Sequence, residues 1–232
     1  DDSNFQYVTP SALAYDKNYT LPEIKKAAGG GIPTAGLIAH LTCDKINGET
    51  TPVTNGDTAV ALVEGAEVID DGVKGKALGF YGPGPISGLK FRGLKQREDA
   101  FTLSCWIKFR DRPEDISVWG QAYGDVSFRL RGNSPWVDWA RGIGAIRTSV
   151  DRKLVAPGQW FHVAATYGKE NALYFNGKLI TTAQSLNFSG GRSGNGFFAD
   201  HDAIGCNNKP TAFDEYRPYD RVLSKEEIKA IY

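Results

Sequence analysis

The chain has no methionine and only three cysteines, and its charges cancel, with 27 Lys and Arg against 27 Asp and Glu in 232 residues. Each shortage excludes something. A formal net charge of zero produces no field of one sign, so the general electrostatic case for nucleic acid or an anionic membrane as partner falls away. No apolar run approaches the roughly 18 residues that a membrane-spanning helix needs. The cysteines, Cys43, Cys105 and Cys206, are odd in number and match no zinc spacing. Two readings stay open: three buried thiols, each acting as a small hydrophobe in an apolar run, or one disulfide with one free thiol. The missing initiator Met reads as trimming or fragment expression, compatible with a removed signal peptide. Internal repeats and low-complexity runs are also lacking.

What is present fits one large β domain. A chain of this length buries roughly 70% of the surface its unfolded form exposes, so it builds a core without staples. Residues 1–35 differ from the remainder and read as an N-terminal extension or linker. Within them Thr20-Leu21-Pro22-Glu23 forms a capping box, predicting a short helix to Ala28 that Gly29-Gly30-Gly31 ends. From Gly36 onward, short apolar runs alternate with Gly, Pro, Asn and Asp. In Phe101–Phe109, residues Phe101, Leu103, Cys105, Ile107 and Phe109 share one face, a period of two that a helix cannot use. Trp160–Tyr167 repeats the pattern. Asn176-Gly177, between Leu173-Tyr174-Phe175 and Lys178-Leu179-Ile180, predicts a tight hairpin, because both turn positions need positive φ. Further strands are expected at 37–43, 76–81, 115–122, 126–131, 143–150, 202–206 and 212–219. Ser224-Lys225-Glu226-Glu227 is a second capping box, and Leu223 with Ile228 forms a hydrophobic staple, which predicts one short C-terminal helix.

Four blocks in this order resemble the laminin-G-like jelly-roll domains of the concanavalin A-like lectin/glucanase superfamily. They are Gly75-Lys76-Ala77-Leu78-Gly79-Phe80-Tyr81-Gly82, the Phe101–Lys108 strand, the Trp160–Tyr167 strand continuing to Leu173–Gly177, and Phe213-Asp214-Glu215-Tyr216-Arg217 through Leu223-Ser224 to Glu227-Ile228. The resemblance covers residues 36–232. It implies an all-β sandwich of two antiparallel sheets, with the first and last strands adjacent. It implies a secreted or cell-surface setting, extracellular or periplasmic, and a place beside other domains of a larger protein. Many members of this family hold one structural Ca²⁺ where the first strand meets the last. The matching positions are Asp44 and Asp214, with Asn47 and the carbonyls around Gly48 completing the shell. The competing reading is an Asx-turn at Asp44 and a loop-amide cap at Asp214. The stretch Lys45–Thr50 departs from the acidic, Gly-rich loop the family uses there.

Catalysis is not expected. Glycoside hydrolases on this fold need two carboxylates flanking one bond. The closest acidic pair, Asp214-Glu215, is adjacent in sequence and would point to opposite sheet faces. The alternating acidic run of such hydrolases and the Arg and His motifs of polysaccharide lyases of this fold are absent. The leading expectation is a lectin-like, carbohydrate-binding domain. Trp119, Trp136 and Trp139 lie outside the resembling blocks and could stack on sugar CH faces, with Asp138 and Arg141 orienting hydroxyls. Arg129 and Arg131, on one strand face, join the candidate site. Seven Arg and no Lys fall between 110 and 152, which points to an acidic glycan through bidentate pairing, against the blander reading of surface ion pairs with neighbouring carboxylates. The alternatives are a structural or adhesion domain binding a protein and, below that, a polysaccharide-degrading enzyme.

Overall fold

The computed structural model describes residues 31–55, 60–81, 88–92, 100–110, 116–119, 128–131, 136–139, 146–149, 152–184, 202–205 and 211–232. The expected helix at 20–28, Arg141 and Cys206 lie outside them. In chain order the strands are β1 (Thr50–Thr51), β2 (Val60–Glu64), β3 (Glu67–Ile69), β4 (Ala77–Phe80), β5 (Gly88–Arg92), β6 (Phe101–Phe109), β7 (Ile116–Trp119) and β8 (Phe128–Arg131). They continue as β9 (Trp136–Trp139), β10 (Ile146–Ser149), β11 (Trp160–Tyr167), β12 (Glu170–Phe175), β13 (Lys178–Gln184), β14 (Asp202–Gly205) and β15 (Thr211–Tyr219), followed by helix α1 (Lys225–Ile231). A 3₁₀ turn spans Arg152–Val155.

These strands form two antiparallel sheets. The order is β1-β2-β5-β14-β7-β8-β9-β10 in one and β13-β12-β11-β6-β15-β4-β3 in the other. Strand β6 is the centre of the second sheet, paired with β11 from Phe101↔Tyr167 to Lys108↔Trp160. Its inward residues are the five that the alternation selects, and all join one buried cluster with Phe161, Val163, Ala165, Phe213 and Tyr216. Phe161 stacks on Phe175 with centroids 6.0 Å apart and tilts against Phe109 at 5.6 Å. A buried Phe contributes roughly 1.5–3 kcal/mol by area alone, so this aromatic stack is a principal source of stability.

The Asn176-Gly177 hairpin forms as expected, with φ of 48° and 69° joining β12 to β13. The C-terminal capping box also forms in both directions, with Ser224 Oγ accepting from Glu227 N and Glu227 accepting from Ser224 N. Leu223 and Ile228 are buried in one cluster, as the staple requires.

One strand expectation is corrected. Residues 37–43 make isolated bridges, Leu37↔Tyr219 and Leu41↔Tyr216, in place of a ladder. The facing strand carries a bulge between Asp214 and Arg217, with Glu215 at φ 50°, which interrupts continuous pairing. Alternation survives even so, because Ala39, Leu41 and Cys43 enter the main core. The bridge Leu37↔Tyr219 holds the first segment against the last strand, as the resemblance implies. Cys43 and Cys105 are free, buried thiols, and burial pushes both well above the usual thiol range.

Candidate functional site

The two sheets have outer faces with different fates. On the seven-stranded sheet the outward residues of β6, β11 and β15 are covered. Trp106 lies under Tyr232 with centroids 5.4 Å apart and an interplanar angle of 21°. His162 packs beside both rings and is bonded to Ser104, Oγ to Nε2 2.8 Å. Burial, then the nearby Arg217 guanidinium, lowers His162 to about 3, so the ring is neutral. Arg217 pairs with Glu215, whose Oε2 lies 3.3 Å from His40 Nε2. Leu37, Tyr174, Tyr219, Leu223, Ile228 and Ile231 complete the cover. This face is therefore overlaid by a layer of α1 with Leu223, Tyr232 and Leu37. It accounts for Trp106 and His162 as structural residues.

The loop between β3 and β4 belongs to the same layer. Asp214 Oδ2 accepts from Val73 N at 2.7 Å and Lys74 N at 3.1 Å, while Oδ1 accepts from Glu215 N at 2.7 Å. Asp44 Oδ1 accepts from Lys76 N at 2.8 Å. Burial pushes the Asp214 carboxyl up to about 7, against the pull of the two loop amides. Asp44 and Asp214, the expected metal positions, thus converge on one loop. Asn47 does not join them: it sits exposed at a turn, bridged to Thr50. Among the described residues no group of three or more His, Cys, Asp or Glu is arranged to hold an ion. Four backbone N–H groups occupy lone pairs of these two carboxylates that a Ca²⁺ shell would otherwise use.

The eight-stranded sheet positions the other candidate residues through its register. Residues directly opposite on antiparallel strands share a face, and neighbours along a strand alternate. Ser117 pairs with Arg129, Arg129 with Asp138, and Asp138 with Arg147, making one row across β7, β8, β9 and β10. Arg131, Trp136 and Ser149 make a second row on the same face. Trp119, Phe128, Trp139 and Ile146 form a row on the opposite face, which also carries Ile116, Leu130, Val137 and the half-buried Thr148. The register therefore brings Arg129, Arg131, Trp136 and Asp138 together, adds Arg147, and separates Trp119 and Trp139 from them. At strand spacings of about 4.8 Å, Arg129 and Arg147 sit roughly 10 Å apart with Asp138 between them, and Arg131 lies about 7 Å along from Arg129.

The strands expected from sequence did not include β9. Alternation in Trp136-Val137-Asp138-Trp139, with its neighbours β8 and β10 already recognised, was the available signal. Sequence reading also missed the cluster in which Lys108 pairs with Asp71 and stands 4.8 Å over the Trp160 ring, while Trp160 Nε1 donates to Asp71 O at 2.9 Å. No local pattern links residues so far apart in sequence.

Two antiparallel sheets, one of them covered on its outer face by α1, define a β-sandwich domain. Residues 87–229 match the Laminin_G_3 family, described as the concanavalin A-like lectin/glucanases superfamily, and the chain belongs to it. Mouse pappalysin-1 is 29% identical over 131 residues, covering 47% of this chain, which spans only 8% of that protein's length. Among solved structures, Trypanosoma rangeli sialidase in complex with sialic acid superposes with a TM-score of 0.63 at 18% identity, over 88% of this chain and 33% of that one. The binding domain of botulinum neurotoxin serotype D gives 0.62 at 14%, over 85% and 51%. The binding domain of paraclostridial mosquitocidal protein 1 gives 0.61 at 16%, over 84% and 51%. At these identities the likeness is one of fold.

Proposed function

We propose that this domain is a non-catalytic, lectin-like carbohydrate-binding module working in a secreted or cell-surface protein, and that it binds acidic glycans on the face of the eight-stranded sheet that carries Arg129 and Arg147. The observation that carries this reading is the pair of cross-strand rows Arg129–Asp138–Arg147 and Arg131–Trp136–Ser149 on one face. Guanidinium groups pair bidentately with carboxylate or sulfate, and an indole ring stacks on the apolar face of a sugar. Closure of the other sheet by α1, Tyr232 and Leu37 supports the choice of face, since Trp106 is 3% and His162 0% exposed.

The non-catalytic part rests on access. The Ser104–His162 contact has the composition of a nucleophile and base, yet both residues are fully buried and the imidazole is lowered to about 3. Asp214 and Glu215 are also buried, the first held by amides and the second by Arg217. Among the described residues no helix is long and apolar enough to cross a membrane.

The test is binding across a broad panel of neutral, carboxylated and sulfated glycans. Binding confined to acidic members supports the reading, and binding of neutral sugars alone overturns its acidic part. A second reading, protein adhesion, is favoured by Leu179 and Ile180, which are 40% and 36% exposed on the edge strand β13. Silence across the panel, with a protein partner recovered in a form that Leu179→Ser abolishes, would replace the first reading with the second.

A further inference from the structure

Asp44 and Asp214 occupy the place where the family resemblance puts a calcium ion, but what surrounds them here is a series of amide hydrogens. A carboxylate offers about four lone-pair positions. Three backbone N–H groups already point at Asp214, from Val73, Lys74 and Glu215, at 2.7–3.1 Å. A fourth, from Lys76, reaches Asp44 at 2.8 Å. Three of the four come from one stretch of chain, residues 73–76. Its closure depends on Gly75, which holds φ at 81° and lies so near Asp44 Oδ1 that an added Cβ would collide with it.

The acidic side chains of the same loop are directed elsewhere. Asp70 pairs with Lys76 Nζ at 2.8 Å, and Asp71 pairs with Lys108, whose stem is buried against the sheet. Asn47 remains at its own turn with Thr50. A cation entering between Asp44 and Asp214 would have to compete with four backbone N–H groups for the carboxylate lone pairs that a shell of six to eight oxygens needs.

We propose that residues 70–76 form a metal-free clamp, in which backbone amides do the work of the ion. The clamp joins three parts of the chain: the first segment through Asp44, the β3–β4 loop, and the last strand through Asp214. Its integrity, and that of the sheet it fastens, is independent of calcium.

Amide hydrogen exchange on the intact chain tests this directly. Val73, Lys74 and Lys76 are expected to exchange slowly, with protection factors unchanged between excess EDTA and millimolar calcium chloride. The thermal midpoint is expected to be the same in both, and calorimetric titration with calcium chloride to show no binding. Gly75→Ala should lower the midpoint by the same amount with and without calcium. Fast exchange of those amides, or stoichiometric calcium uptake with a raised midpoint, would overturn the proposal. Because the wild-type measurements suffice, the conclusion does not depend on the variant folding.

Discussion

Lowering the pH should destabilise this domain through one residue more than any other, His162. The ring is fully buried beside Trp106 and Tyr232, bonded to Ser104, and near Arg217. Its pKa falls from 6.5 to about 3 on folding. The sign follows from linkage: a group lowered in the folded state binds more protons when unfolded, so its contribution is complete above 6.5 and is lost as the pH falls toward 3. Well below pH 6.5 the loss approaches about 1.4 kcal/mol per pH unit for one fully protected site, and it sums to roughly 2 kcal/mol between pH 6.5 and 4.5. Two other groups act in the same range. His40, lowered to about 4 chiefly by burial, adds a smaller loss because it is part-exposed. Asp214, raised to about 7 from 3.8, has the opposite sign, stabilising at low pH and losing that contribution as the pH rises through 7. The whole-protein slope is therefore a near-cancelling sum, and the informative quantity is a difference. His162→Gln keeps a polar partner for Ser104 but cannot titrate. Urea unfolding of both proteins at a series of pH values between 7 and 4.5 should show the stability gap between them closing as pH falls, by about one proton's worth of slope. A gap that stays constant would mean that His162 is not held neutral in the folded state, and would refute the burial argument.

Three further outcomes follow from named contacts. Ser224→Ala removes the side-chain half of the capping box and should lower stability by about 1 kcal/mol in chemical denaturation, without altering the sheet signal in circular dichroism. Cys43 and Cys105, buried and with raised pKa, should resist a thiol reagent at neutral pH under native conditions and react on unfolding, as mass spectrometry of the labelled peptides will show. Phe161→Ala should cost about 3–5 kcal/mol in the same denaturation assay, since it empties the centre of the Phe109–Phe161–Phe175 stack.

Much of the fold was legible locally because each signal needed only neighbouring residues. Period-two alternation in Phe101–Phe109, two positive-φ residues at Asn176-Gly177, and the reciprocal cap at Ser224 and Glu227 each carry their own physical reason, and each formed. Residues 37–43 departed from expectation because the determinant is non-local: the bulge around Glu215 lies on the partner strand. The same contrast governs the candidate site. Arg129 and Arg131 were placed together by alternation within one strand. That Trp136 and Asp138 share their face, while Trp119 and Trp139 do not, depends on cross-strand register, which composition cannot supply. The amide clamp at Asp214 was visible only as an alternative, because an acidic residue looks the same in sequence whether it faces an ion or a peptide N–H.

The central claim is that the Arg129–Asp138–Arg147 row and its neighbour Arg131–Trp136 bind an acidic glycan. The most direct measurement is the dissociation constant for one sulfated or uronate oligosaccharide with the wild-type chain and with Arg129→Gln/Arg147→Gln, each at low and at physiological salt. The account predicts that the double variant binds at least tenfold more weakly, with unchanged thermal stability and a reduced dependence on salt. Equal affinity and equal salt dependence in the two proteins would contradict it.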